Sequence, residues 1–134
     1  MPDENLHAVR RLYAALQAHD AGALLDALTP GFRGIVADGM PNDLGGTYEG
    51  AQTMLRECWA RVFAVFDFRA VPAEYLVASA DRVIVLGRYE GTARSTGRPL
   101  SAAFAHILRI AADGRVSELT QITDTARWRD ALAP

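Results

Sequence analysis

Residues 101–115 read SAAFAHILRIAADGR, and the register of this stretch decides the fold. Phe104, His106, Leu108 and Ile110 alternate with Ala105, Ile107 and Arg109, the period-two pattern of a strand with one covered face. Arg109 marks the solvated side, so Phe104, Leu108 and Ile110 face inward, and the titratable ring of His106 goes with them. A buried imidazole needs a hydrogen-bond partner: a backbone carbonyl, as in a core histidine, or other polar groups converging inside the sheet, as in a site.

The same period runs through residues 68–78 (FRAVPAEYLVA), 81–94 (DRVIVLGRYEGTAR) and 115–123 (RVSELTQIT). The tight links SAD, STGRP and AADG suit hairpins of an antiparallel meander. Upstream, PDENLHAVRRLYAALQAHD places Leu6, Val9, Tyr13 and Leu16 at helical spacing behind Asp3 as a cap. ALLDAL forms a second short helix ending at Pro30, and FRGIV a short strand. ADGMPNDLGGTYEG is too rich in Gly, Asp, Asn and Pro for regular structure and reads as a functional loop. AQTMLRECWARVFAVF carries a broad apolar face, a third and well-buried helix, and DTARWRDAL closes the chain as a short helix capped by Asp124 or Thr125. The order predicts an α+β fold: a cone-shaped barrel with three N-terminal helices packed in a curved antiparallel sheet and a short C-terminal helix, as one domain over 1–134. The open end of such a cone is a natural ligand pocket.

Composition narrows the function. A net charge of −2, with all 14 basic residues arginines scattered along the chain, gives no basic stripe for nucleic acid or an anionic membrane. The single cysteine, Cys58, excludes an intrachain disulfide and reads as a core residue, and no Cys/His spacing suggests a metal site. The N-terminus lacks the pattern of a signal peptide and no apolar run is long enough to span a bilayer, so a cytoplasmic setting is the expectation. NDLGG lacks the spacing of a phosphate-binding loop; it is expected to close over the cone, with Tyr48 as a lid residue.

Parity assigns the interior. Arg82, Arg88 and Glu90 mark one face of their strand, leaving Val83, Val85, Gly87 and Tyr89 on the other. Glu118 marks the outside of the last strand, which sends Leu119, Gln121 and Thr123 inward beside His106. Trp59, Phe63, Tyr89 and Phe104 are the expected apolar walls. On the outer face, Ile84, Leu86, Ala105 and Ile107 lie among charges, a half-apolar surface that predicts a homodimer through the sheet.

Three segments, AVRRLYAALQAHDAGALLDAL, GIVADGMP with GGTYEG, and AHILRIAADGRVSELTQITD, together resemble the nuclear transport factor 2-like superfamily. Within it the chain is similar to SnoaL-like polyketide cyclases and ketosteroid isomerases. The resemblance implies an isomerase or cyclase that removes a proton beside a carbonyl of a steroid- or polyketide-like substrate, with neither metal nor organic cofactor. Asp38 stands where the isomerases carry their general base. His106 stands where they carry an oxyanion-hole Asp, and a ring N–H preserves a donor. Gln121 stands where the cyclases carry an Asp on the last long strand; a Gln cannot act as a base, so the role the resemblance implies for Gln121, or for Tyr13, is to stabilise the enolate oxygen together with His106. The isomerases' donor tyrosine matches Leu12, with Tyr13 one residue further. Asp124 is a secondary candidate at the rim. Two alternatives stand beside this reading: a non-catalytic carrier of a hydrophobic small molecule, and an epoxide-opening hydrolase or cyclase.

Overall fold

Alternating side chains become paired backbone in the computed structural model, which describes residues 2–134. In chain order the elements are α1 (Pro2–Ala18), α2 (Ala21–Ala27), β1 (Leu28–Val36), β2 (Gly46–Glu49) and α3 (Ala51–Thr53). A π-helical segment (Met54–Trp59) continues α3 directly into α4 (Ala60–Val65). Four long strands follow, β3 (Phe66–Val77), β4 (Arg82–Ala93), β5 (Pro99–Ile110) and β6 (Val116–Thr123), and then α5 (Thr125–Leu132). The α+β expectation holds, with two refinements. The end of the segment read as a loop pairs as β2, antiparallel to β1, and β1 pairs parallel with β6, so the sheet is mixed, in the order β2-β1-β6-β5-β4-β3.

Period two sets the layers. Phe104, His106, Leu108 and Ile110 on β5 are buried, as are Val83, Val85 and Tyr89 on β4. They face α1, whose Val9, Leu12 and Tyr13 form the opposing stripe at helical spacing. Helix α1 closes with His19 in a left-handed conformation (φ 52°), its N–H bonded to the Leu16 carbonyl and that of Asp20 to the Ala15 carbonyl. This is a Schellman closure with histidine where glycine is usual. Asp20 then caps α2, accepting a hydrogen bond from the Ala23 N–H at 3.1 Å. Two consecutive helices are thus joined with a turn of two residues.

The sheet curls because its ladder is interrupted. Register shifts fall on β3 between Pro72 and Glu74, and at Leu28/Arg33 and Arg109/Ile110. Pro72 is tolerated because β3 is an edge strand. Gly87 pairs with Phe104 on the concave side, and a Cβ there would collide with the Val71 carbonyl oxygen and the Phe104 ring. The bare backbone lets Phe104 lie over it and stack on His106, with ring centroids 4.1 Å apart. From the far end of the chain, α5 buries Trp128 edge-on against Phe66 (4.9 Å) and Phe68 (5.4 Å). No helix among the described residues is long and apolar enough to cross a membrane.

Replacing Gly87 with Ala is predicted to destabilise the fold by about 1–3 kcal/mol, the usual range for overpacking a filled core. Urea denaturation measures it, and an unchanged midpoint would show that Phe104 and β3 give way without strain.

Candidate functional site

The interior of the cone holds a narrow cavity of about 60 Å³. Its wall is mostly apolar: Val36, Met40, Met54, Val62 and Leu119 line it with Phe68 and Trp128. At about 10–15 Å³ per water it has room for a few waters, so a ring-sized ligand must displace wall side chains. Arg69, which is exposed, is the single charged side chain among the described lining residues.

His106 sits at the polar end. The ring is 3 % exposed and both nitrogens are engaged. Nδ1 lies 2.6 Å from the Tyr13 hydroxyl and Nε2 lies 2.6 Å from the Tyr89 hydroxyl. Tyr89 in turn accepts a hydrogen bond from the Gln121 amide nitrogen at 2.9 Å, and the Gln121 carbonyl oxygen accepts one from the Ala37 N–H at 3.3 Å. The backbone contact fixes the Gln121 amide, its NH₂ toward Tyr89. Register explains the convergence: His106 opposes Gln121 on β6, and Tyr89 lies on the neighbouring strand β4.

Burial sets the protonation states. Removal from water lowers the His106 pKa from 6.5 to about 3, so the ring is neutral. Desolvation also raises the Tyr13 and Tyr89 hydroxyls far above their usual range, keeping both as donors, and pushes the Cys58 thiol on the cavity wall up to about 12. The polar end of the cavity is a set of neutral hydrogen-bonding groups, suited to holding an oxygen rather than removing a proton.

The residues named from sequence divide into two sets. Tyr13, Trp59, Phe63, Tyr89, His106 and Gln121 line the cavity. Tyr13 reaches it from the position one beyond the isomerase match, while Leu12 is wholly buried in the core. Phe104 lies behind His106 as a stacked support rather than on the wall. Asp38 is placed differently from the expectation. It is exposed in the turn after β1, packed under Gly45, and does not line the cavity. The chain leaves β1 at Val36 and turns before residue 38, which aims the carboxylate outward. Tyr48, expected as a lid residue, sits on β2 opposite Gly34, its hydroxyl donating to the Leu44 carbonyl at 2.7 Å, and is not among the cavity-lining residues. Asp124 is exposed at the start of α5, 3.8 Å from Arg127, making no side-chain cap.

The wall also has members the sequence reading did not single out as site residues. Trp128 follows from the amphipathic spacing of Trp128 and Leu132 on α5, and Gln17 lies one turn beyond Tyr13 on α1. Met40 comes from an irregular segment with no periodic signal.

A curled sheet wrapped on three helices, with polar groups gathered at one end of an apolar hollow, defines a SnoaL-like domain of the nuclear transport factor 2-like superfamily. The model of that domain matches residues 9–119, and the chain belongs to the family. A nuclear transport factor 2-like protein of Burkholderia thailandensis is 30% identical, with a TM-score of 0.87 over 97% of this chain and 98% of that one. One of unknown function from Burkholderia pseudomallei is 31% identical, with a TM-score of 0.87 and 98% of each chain covered. TerC, co-crystallised with polyporic acid, is 28% identical, with a TM-score of 0.85 over 96% of this chain and 97% of that one. No curated protein matches.

The native His106 ring stays unprotonated over a range in which the unfolded chain takes up a proton, so acid favours unfolding. Stability is predicted to fall by about 1.4 kcal/mol per pH unit between 6.5 and about 3 from this residue. Denaturant titrations at pH 7.5 and pH 5 read the slope; an identical slope in His106→Gln would show that the ring is not held neutral.

Proposed function

We propose that this domain binds a small apolar organic molecule, polyketide- or steroid-like in class, and seats one hydrogen-bond-accepting oxygen of it against Tyr13. One observation carries the reading: the wall is neutral and mostly apolar, and its polar groups gather around His106. The co-crystal of TerC with polyporic acid supports a small organic ligand for this pocket too. The isomerase or cyclase reading needs a proton acceptor beside the substrate. Asp38 lies outside the cavity and both nitrogens of His106 are already bonded, so the geometry favours binding over proton abstraction. Entry requires the wall to re-seat. Met40 and Met54 are its most adaptable members, and Trp59 and Phe63 are half-buried.

The outer sheet face supports a homodimer. Leu76, Ile84 and Ile107 lie in one cross-strand row, and Leu86, Ala105 and Ile122 in the next. Leu76 is 40% and Ile122 54% exposed. Arginine and glutamate border this belt, as Arg109 opposite Glu118 does, so a second copy rotated by two-fold symmetry meets both signs of charge.

Melting temperature followed against a panel of polycyclic ketones and quinones tests the first reading. At least one is expected to raise it, and Tyr13→Phe is expected to weaken that binding about 5- to 20-fold, the loss of one buried hydrogen bond. A panel without effect, or turnover of a β,γ-unsaturated steroid ketone that Asp38→Asn abolishes, would reject it. Sedimentation tests the second reading: the wild type is expected at twice the chain mass and Ile122→Glu at the monomer mass.

A further inference from the structure

Three hydrogen-bonding groups in a row, Tyr13, His106 and Tyr89, hold two hydrogen bonds between them. With the ring neutral they carry three protons: one on each hydroxyl and one on the imidazole. Two protons fill the two links, and one is left over. Where that third proton points determines what the cavity can recognise.

The far end of the row settles its position. Gln121, its amide fixed by the Ala37 N–H, donates to the Tyr89 oxygen. The Tyr89 ring packs against those of Phe68, Phe104 and Trp128, with centroids 4.7 to 5.8 Å away, and its oxygen already takes the Gln121 donor. The Tyr89 proton therefore goes to His106 Nε2. The imidazole proton is then on Nδ1 and is donated to the Tyr13 oxygen, which leaves the Tyr13 O–H as the free donor, on the cavity wall. The opposite tautomer would put two donors on the Tyr89 oxygen and break the head-to-tail run from Gln121 to Tyr13, in which each hydrogen bond polarises the next.

We propose that the Gln121–Tyr89–His106 chain locks His106 as the Nδ1–H tautomer and so makes the cavity selective for ligands that present a carbonyl oxygen over otherwise identical alcohols. A ketone or quinone oxygen accepts the Tyr13 proton and has nothing left to satisfy. An alcohol accepts the same proton but brings its own into an apolar hollow. For it to donate to Tyr13 instead, the whole row must reverse, which puts two donors on the Tyr89 oxygen. Tyr89 and Gln121 thus act as positioning residues that set the preference from a distance. The proposal rests on the reading that the cavity takes a small apolar ligand.

Two measurements on the full chain keep the parts separate. Long-range ¹H–¹⁵N correlation on uniformly ¹⁵N-labelled protein without ligand reports the tautomer directly. His106 is expected with a protonated Nδ1 and a bare Nε2 at pH 7, and with the Nε2–H form appearing in Gln121→Leu, where Tyr89 regains a free lone pair. A protonated Nε2 in the wild type overturns the lock. The second measurement is calorimetric titration with 9-fluorenone and 9-fluorenol, which differ only in that oxygen. The ketone is expected to bind about 5- to 100-fold more tightly, with the gap closing in Tyr13→Phe. Equal binding of the two by the wild type overturns the selectivity alone. Binding of neither, with Nδ1–H observed, overturns the ligand reading and the selectivity together while the tautomer assignment stands.

Discussion

Hiding both nitrogens of an imidazole beneath the concave face of a sheet is the constraint on which the interior depends. Each nitrogen requires a partner that arrives through the protein, since no bulk water reaches it. One comes from α1 as Tyr13 and the other from β4 as Tyr89. Gln121 and the Ala37 backbone extend the network to β6 and to the end of β1. Helix-on-sheet packing is otherwise tolerant of sliding, because apolar contacts carry little directional information. The short Tyr13–His106 hydrogen bond pins the helix at a single point along the strand.

Much of this was legible in the chain. Alternation on β4, β5 and β6 named the buried faces, and Tyr89, His106 and Gln121 follow from parity alone, because a pleated strand leaves no intermediate orientation. Helical spacing found the inward stripe of α1, including Tyr13, where family correspondence pointed to Leu12. The failures lie where no period exists. Residues 37–45 are irregular, so nothing in the sequence states which way Asp38 turns, and correspondence placed it in the cavity while the backbone carries it outside. Parallel pairing of β1 with β6 was equally invisible, since strand direction leaves no mark on composition.

The middle helix supplies the yielding side of the hollow. Its π-helical turn closes with the Ala60 N–H on the Leu55 carbonyl, five residues back, and widens the spiral where Met54 and Cys58 meet the cavity. The β4–β5–β6 side is held by strand pairing and by the Tyr13 and Tyr89 hydrogen bonds to His106. The opposite wall is built from methionine, half-buried aromatics and an irregular helical turn.

The parallel pairing of β1 with β6 also orders events during synthesis. β1 is the first strand of the sheet to emerge, yet its partner on one side is the last strand of the sheet to be made. Until residues 116–123 leave the ribosome, β1 has only the four-residue β2 beside it, and its other edge stands open. The β3–β4–β5 hairpins can zip as they appear, because their contacts are local. Closure of the cone therefore waits for β6 to emerge, and until then the edge of β1 that it covers stays unpaired.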